Sequence, residues 1–142
     1  MTHPPDQAAE LAREVLRRES DGSSDPEVVA AAVESICRKL KSDLMDMLGS
    51  AGVTALLGRA LNLAKREHPI LIGVSSNAEP PACYTGLADS LGTGSSDASA
   101  PATAVVVYLF VLLATLLGEE LATQPIRKIW PHVASDARKV AE

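Results

Sequence analysis

The stretch from Ala102 to Leu117, ATAVVVYLFVLLATLL, runs sixteen residues without a charge, a proline or a glycine. Any fold of this chain must find cover for it. As a helix it rises about 24 Å at ~1.5 Å per residue, short of the roughly 30 Å of a bilayer core. Val105, Val106, Val107, Tyr108 and Phe110 favour strands, yet no turn signal divides the run and strands usually stop at about eight residues. Leu and Ala fill its second half and suit a helix. Ala104, Tyr108, Thr115 and Glu119 fall near one helical face. That faint polar stripe suits a central helix in a bundle, with its weakly polar side near the surface. The expectation is a buried helix over 102–121. A membrane span and a strand followed by a helix are the alternatives.

The rest of the chain reads as helices that surround it. Residues 1–5 read as a disordered start. Asp6 can cap a helix from Gln7 to Glu19, in which Ala8, Leu11, Ala12, Val15 and Leu16 recur at three and four. Glu10 faces Arg13, and Glu14 faces Arg17 and Arg18. The next helix starts at Ser24-Asp25-Pro26-Glu27. Either Ser24 caps it with Glu27 in a capping box, or Asp25 caps it and Pro26 takes the first helical position. Val29, Val33, Ile36, Leu40, Leu44 and Met47 give it one apolar stripe. Gly49 and Gly52 bracket a break. A third helix covers 51–67, with Val53, Leu56, Leu57, Ala60, Leu61, Leu63 and Ala64 inward, and Pro69 ends it. A short loop between these two helices favours antiparallel packing.

Beyond Pro69 the pattern weakens. Residues 69–83 read as irregular, with Ile70 to Val74 tucked against the bundle, and 84–91 as a short helix. Residues 92–101 have linker composition. After Glu120, Thr123 can cap a last helical piece with Pro125 in its first turn and Ile126, Ile129 and Trp130 on it. A small amphipathic tail follows Pro131. The fold class is all-α: a single-domain bundle (1–142) of five to six helices around the apolar helix 102–121.

Composition narrows the function more than any motif does. Net charge is −5, and no Lys or Arg falls between Arg66 and Arg127, where Glu79, Asp89, Asp97, Glu119 and Glu120 lie. A nucleic-acid partner is therefore not expected. Nine of the thirteen basic residues lie in the first 68, interleaved with eleven acids, the pattern of solvated helix faces. Aromatics are 3 %, so the core must be built from Leu, Val and Ala.

Cys37 and Cys83 have no metal-ligand spacing. Cys37 reads as a small buried hydrophobe, and Cys83 as a free thiol in a proline-rich loop. His3, His68 and His132 form no ligand pair, and the last two mark helix ends. Gly92-Thr93-Gly94-Ser95-Ser96 lacks the lysine of a phosphate loop. Glu119 and Glu120 read as the point where the apolar helix meets water, although acids at a helix C-terminus oppose its dipole.

No catalytic, cofactor or metal residue is assigned. The N-terminus shows no signal-peptide pattern, which gives a cytoplasmic expectation. The function expected is a non-catalytic protein–protein interaction or regulatory module, self-associating as a homodimer, with Val28, Met45 and Trp130 as its partner surface. Trp130, the one tryptophan, reads first as a core anchor and second as part of that surface. A membrane-associated protein with 102–121 inserted is the second reading. A sensor that binds a small ligand between helices is the third.

Overall fold

The computed structural model describes residues 4–23, 25–76, 83–92 and 99–130. It is mostly helical, and no strand occurs among the described residues; Ser75 and Thr85 form one isolated antiparallel bridge. Helix α1 spans Pro4–Glu19. It starts before the expected cap and takes in Pro4 and Pro5, which a first helical turn tolerates because those amides have no helical acceptor. Residues 1–3 lie outside the described residues. Glu14 pairs with Arg17 at 2.7 Å and with Arg18 at 3.4 Å. Ser20 closes the helix by donating its hydroxyl to the Leu16 carbonyl at 2.8 Å.

Helix α2 spans Pro26–Glu67. Of its two possible starts the structure has the second. Asp25 is the cap, its carboxylate accepts from the Glu27 N–H at 3.0 Å, and Pro26 follows. Gly49 interrupts the helix with φ 72 and ψ 170, a conformation essentially reserved for glycine. The chain doubles back there. Tyr84 donates its backbone N–H to Glu34 and its hydroxyl to the Leu57 carbonyl. A straight helix would separate residues 34 and 57 by about 34 Å, far beyond the reach of one tyrosine. The two arms of α2, residues 26–48 and 50–67, therefore form the helical hairpin expected from the Gly49–Gly52 break. Val29, Val33, Ile36, Leu40 and Leu44 of the first arm's stripe are buried, whereas Met47, next to the turn, is exposed.

A 3-10 turn, Pro69–Gly73, follows α2 and buries Leu71. Val74 is buried beside it, but Ile72 is 82 % exposed, so only part of the 70–74 segment is tucked in. Helix α3 spans Leu87–Gly92 and inserts Leu87 and Leu91 into the core. Residues 77–82 and 93–98, the latter being most of the expected linker, lie outside the described residues.

The apolar stretch forms helix α4, Ser99–Leu117. It begins earlier than Ala102 and does not reach 121. Gly118, at φ 86 and ψ 156, breaks it, and helix α5 runs from Glu119 to Ile129. The expected cap at Thr123 is thus replaced by Gly118, and Pro125 lies inside α5 rather than in its first turn. Relief of a dipole conflict accompanies the break. Glu120 falls in the first turn of α5, where negative charge is favourable, and Arg127 and Lys128 lie in its last turn. Residues 131–142 lie outside the described residues.

Helix α4 packs against α1, α2 and α5. Val105, Val106, Leu109, Phe110 and Leu113 are buried at these contacts; each such side chain contributes roughly 1.5–3 kcal/mol through removal from water. Of the expected polar stripe Thr115 is exposed and Tyr108 half-buried, its hydroxyl donating to the Glu67 carboxylate. Ala104 is buried instead. By length and composition alone, α2 and residues Ala100–Leu117 could cross a membrane. Gly49 divides the first, and the second is largely covered by α1 and α2 over its N-terminal two-thirds.

Candidate functional site

The densest group of chemically capable side chains gathers where the first arm of α2 meets residues 83–84. Glu34 and Cys37 are three apart on a helix and so share a face. The Glu34 carboxylate accepts two backbone N–H groups, from Cys83 at 2.8 Å and from Tyr84 at 2.6 Å. The Ser75–Thr85 bridge, with N–H···O distances of 3.0 and 2.8 Å, closes the turn just beyond. Tyr84 is buried and its hydroxyl reaches the Leu57 carbonyl at 2.9 Å, the partner a buried tyrosine requires. Three points, on both arms of α2 and on Ser75, thus hold Cys83 in place.

The result is a pair of thiols. Cys37 and Cys83 are both free and buried, and Glu34, one turn before Cys37, binds the Cys83 amide and so brings the two residues to one place. The neighbouring Cys83 and burial push the Cys37 thiol well above its usual range. Cys37 in turn lowers Cys83, against its own burial and the Glu34 charge, with help from Lys41 and Arg38. Burial, followed by the nearby Cys37, Cys83 and Glu34 charges, raises Tyr84 well above its usual value. Such a pair can donate a hydrogen bond from one sulfur to a thiolate on the other, and a thiolate is the nucleophilic form of cysteine. Among the described residues no group of three or more His, Cys, Asp or Glu is arranged to hold a metal ion.

Sequence reasoning took the two cysteines separately and missed Glu34 and Tyr84. One local signal was available. Glu34 lies between Val33 and Ile36 of the buried stripe and one turn before Cys37, so it flanks the apolar face rather than standing opposite it. His68 ends α2, its backbone N–H donating to the Ala64 carbonyl at 2.9 Å. His3, His132 and the Thr93–Ser96 part of the glycine-rich segment lie outside the described residues.

The residues expected to face a partner divide. Val28 and Met45 are exposed. Trp130 is only 7 % exposed; its ring lies 6.4 Å from that of Phe110, and its indole N–H donates to Glu19 at 3.0 Å. It is an internal contact between the end of α5 and the end of α1. Leu116 and Leu121, on either side of Gly118, are exposed instead, Leu116 by 62 %. Half-buried Leu112 and Leu117 lie one turn before Leu116 and next to it in sequence. An ion pair of Lys128 with Asp43 at 3.0 Å sets α5 beside the arm of α2 that carries Met45 and Met47. Comparison with known proteins gives no matching family model and no significant match among curated proteins or solved structures.

Proposed function

We propose that the chain is a non-catalytic, cytoplasmic interaction or regulatory module, a helical bundle gathered around α4, that associates with a second copy of itself. The observation that carries this reading is the apolar corner at Gly118. Leu116 and Leu121 stand in solvent there, on either side of the glycine, and the half-buried Leu112 and Leu117 flank Leu116 on α4. Large apolar side chains grouped on a surface favour burial against a partner, and a two-fold pairing lets one patch serve both copies. The chain carries −5, and Glu120 is exposed within the same corner. Repulsion between copies therefore opposes the contact, and salt screens it.

Light scattering behind size exclusion tests the reading. The expected mass is twice 14.9 kDa, with dimerisation strengthened as salt is raised. Leu116→Glu is expected to give a folded monomer whose thermal melt matches that of the wild type at concentrations too low for dimerisation, because Leu116 makes little of the core. A wild-type chain that stays monomeric at about 100 μM, roughly tenfold above a dissociation constant in the ten-micromolar range, would remove the reading. A chain that is soluble only in detergent would transfer α4 to a lipid bilayer.

A further inference from the structure

We propose that Cys37 and Cys83 form a dithiol site that a low-molecular-weight disulfide oxidises to an intramolecular disulfide, clamping the segment that begins α3 onto α2. The placement rests on backbone anchoring as well as on the thiols themselves. Glu34, one turn before Cys37 on the same arm, binds the amides of Cys83 and Tyr84 directly. The Tyr84 hydroxyl and the Ser75–Thr85 bridge fix the same segment from two other sides. Cys83 is thereby delivered to Cys37 by three contacts in which neither sulfur takes part.

The two sulfurs have different tasks. Cys83 is the attacking thiol. It lies on the segment that Glu34 holds and that can open to solvent, whereas Cys37 stays within α2, and the Cys83 thiolate is the form that attacks disulfides. Its sulfur bonds to one sulfur of RS–SR, the S–S bond breaks, and the departing thiolate takes up the proton Cys83 released. Cys37 is then the resolving thiol. Its affinity for its proton is raised first by the contact with Cys83, and that contact loses its charge once Cys83 is in a mixed disulfide. Cys37 gives up its proton to the second departing RS⁻ and bonds to the Cys83 sulfur. Overall, two protein S–H groups and one RS–SR become one protein disulfide and two RSH. The protein is oxidised by two electrons and the small disulfide is reduced by the same two.

Both sulfurs are buried, so the first attack waits for the 83–86 segment to open, and Glu34 holds it shut. In the reduced state that hold is a set of hydrogen bonds and is reversible by local opening. In the oxidised state it is covalent, closing a loop that contains the second arm of α2.

The test uses the full chain, reduced, then incubated in glutathione disulfide and followed by intact mass and a non-reducing peptide map. The expected product is a single chain lighter by two hydrogens, with the peptides of Cys37 and Cys83 joined and a melting temperature raised by roughly 5 °C. Cys37→Ala is expected to stop at a glutathione adduct on Cys83. Cys83→Ala is expected to be at least tenfold slower to react at its remaining thiol. Glu34→Gln is expected to speed formation of the disulfide about fivefold, the factor of one ordinary hydrogen bond lost. A wild-type end product that keeps glutathione, a disulfide between chains as the main product, or a native chain that stays reduced while the same chain in denaturant reacts would each overturn the proposal.

Discussion

Two glutamates hold distant parts of this chain together, and they do so by different means. Glu34 joins α2 to residues 83–84 by accepting two backbone N–H groups. Glu19 joins the end of α1 to the first arm of α2 and to the end of α5 by accepting from the Lys39 ammonium and the Trp130 indole. Lys39 also lies over the Trp130 ring, 5.9 Å from its centroid. The donors decide how much each glutamate matters. Lys39 is about half exposed, at 47 % of its side chain, and can turn to water if Glu19 is lost. The Cys83 and Tyr84 amides belong to buried residues, and both are fixed in one turn that cannot swing out to water as a lysine side chain can. A carboxylate that holds two backbone amides of one turn therefore matters more than one whose charged partner is a half-exposed lysine free to turn to water.

The largest effect should follow from Glu34→Ala. It leaves two part-buried amides without their acceptor, at roughly 1–3 kcal/mol for each group. Urea denaturation is expected to show about 2–4 kcal/mol of lost stability, and hydrogen exchange should accelerate first at the Cys83 and Tyr84 amides. If Glu34→Ala costs no more than Glu19→Ala, the contrast between the two glutamates fails. Trp130→Phe comes next. It keeps an aromatic ring against Phe110 but removes the donor to Glu19 and part of the packed volume. About 1–2 kcal/mol is expected by the same denaturation measurement. A loss below about 0.5 kcal/mol would mean that Trp130 serves a surface and not the interior.

How far the sequence revealed these features follows from how local each one is. The stripe Val29-Val33-Ile36-Leu40-Leu44 is buried because residues three and four apart must share a helix face. The Asp25 cap and the Gly49 reversal were legible for the same reason, since each is decided within a few residues. The helix break at Gly118 was not read. Sixteen apolar residues dominate their surroundings, and the acids after them resembled a helix end meeting water. The structure shows that the glycine permits a reversal and that the acids begin a new helix, so one residue's backbone freedom outweighed the apolar pattern. The thiol pair lay further from reach. Cys37 and Cys83 meet only because the α2 hairpin returns the chain and Glu34 captures the segment. Glu34 itself looked like one more charge on a solvated face. Charge patterning along a helix cannot tell a carboxylate facing water from one facing the backbone of a segment fifty residues away.

The smallest expected effect belongs to Glu19 and has a definite sign. Burial works against its charge, but hydrogen bonds from Lys39, Trp130 and Ser35, together with the Lys39 charge, outweigh it and hold the carboxyl below the ordinary glutamate value of 4.5. A carboxyl lowered on folding stabilises the native state at pH values above the unfolded pKa. That contribution declines as the pH falls below about 4.5 and is gone once the pH has passed through the folded value. The pair with Lys39 is partly exposed, so screening keeps the effect under about 1 kcal/mol. Melting curves of the wild type and Glu19→Gln should differ by a small constant amount through neutral pH, well above the ordinary glutamate value, and converge once the pH has fallen through the folded value. A difference that instead grows on acidification would mean that Glu19 is protonated in the native state. The Trp130 indole would then have lost its charged acceptor, and the contrast with Glu34 would rest on burial alone.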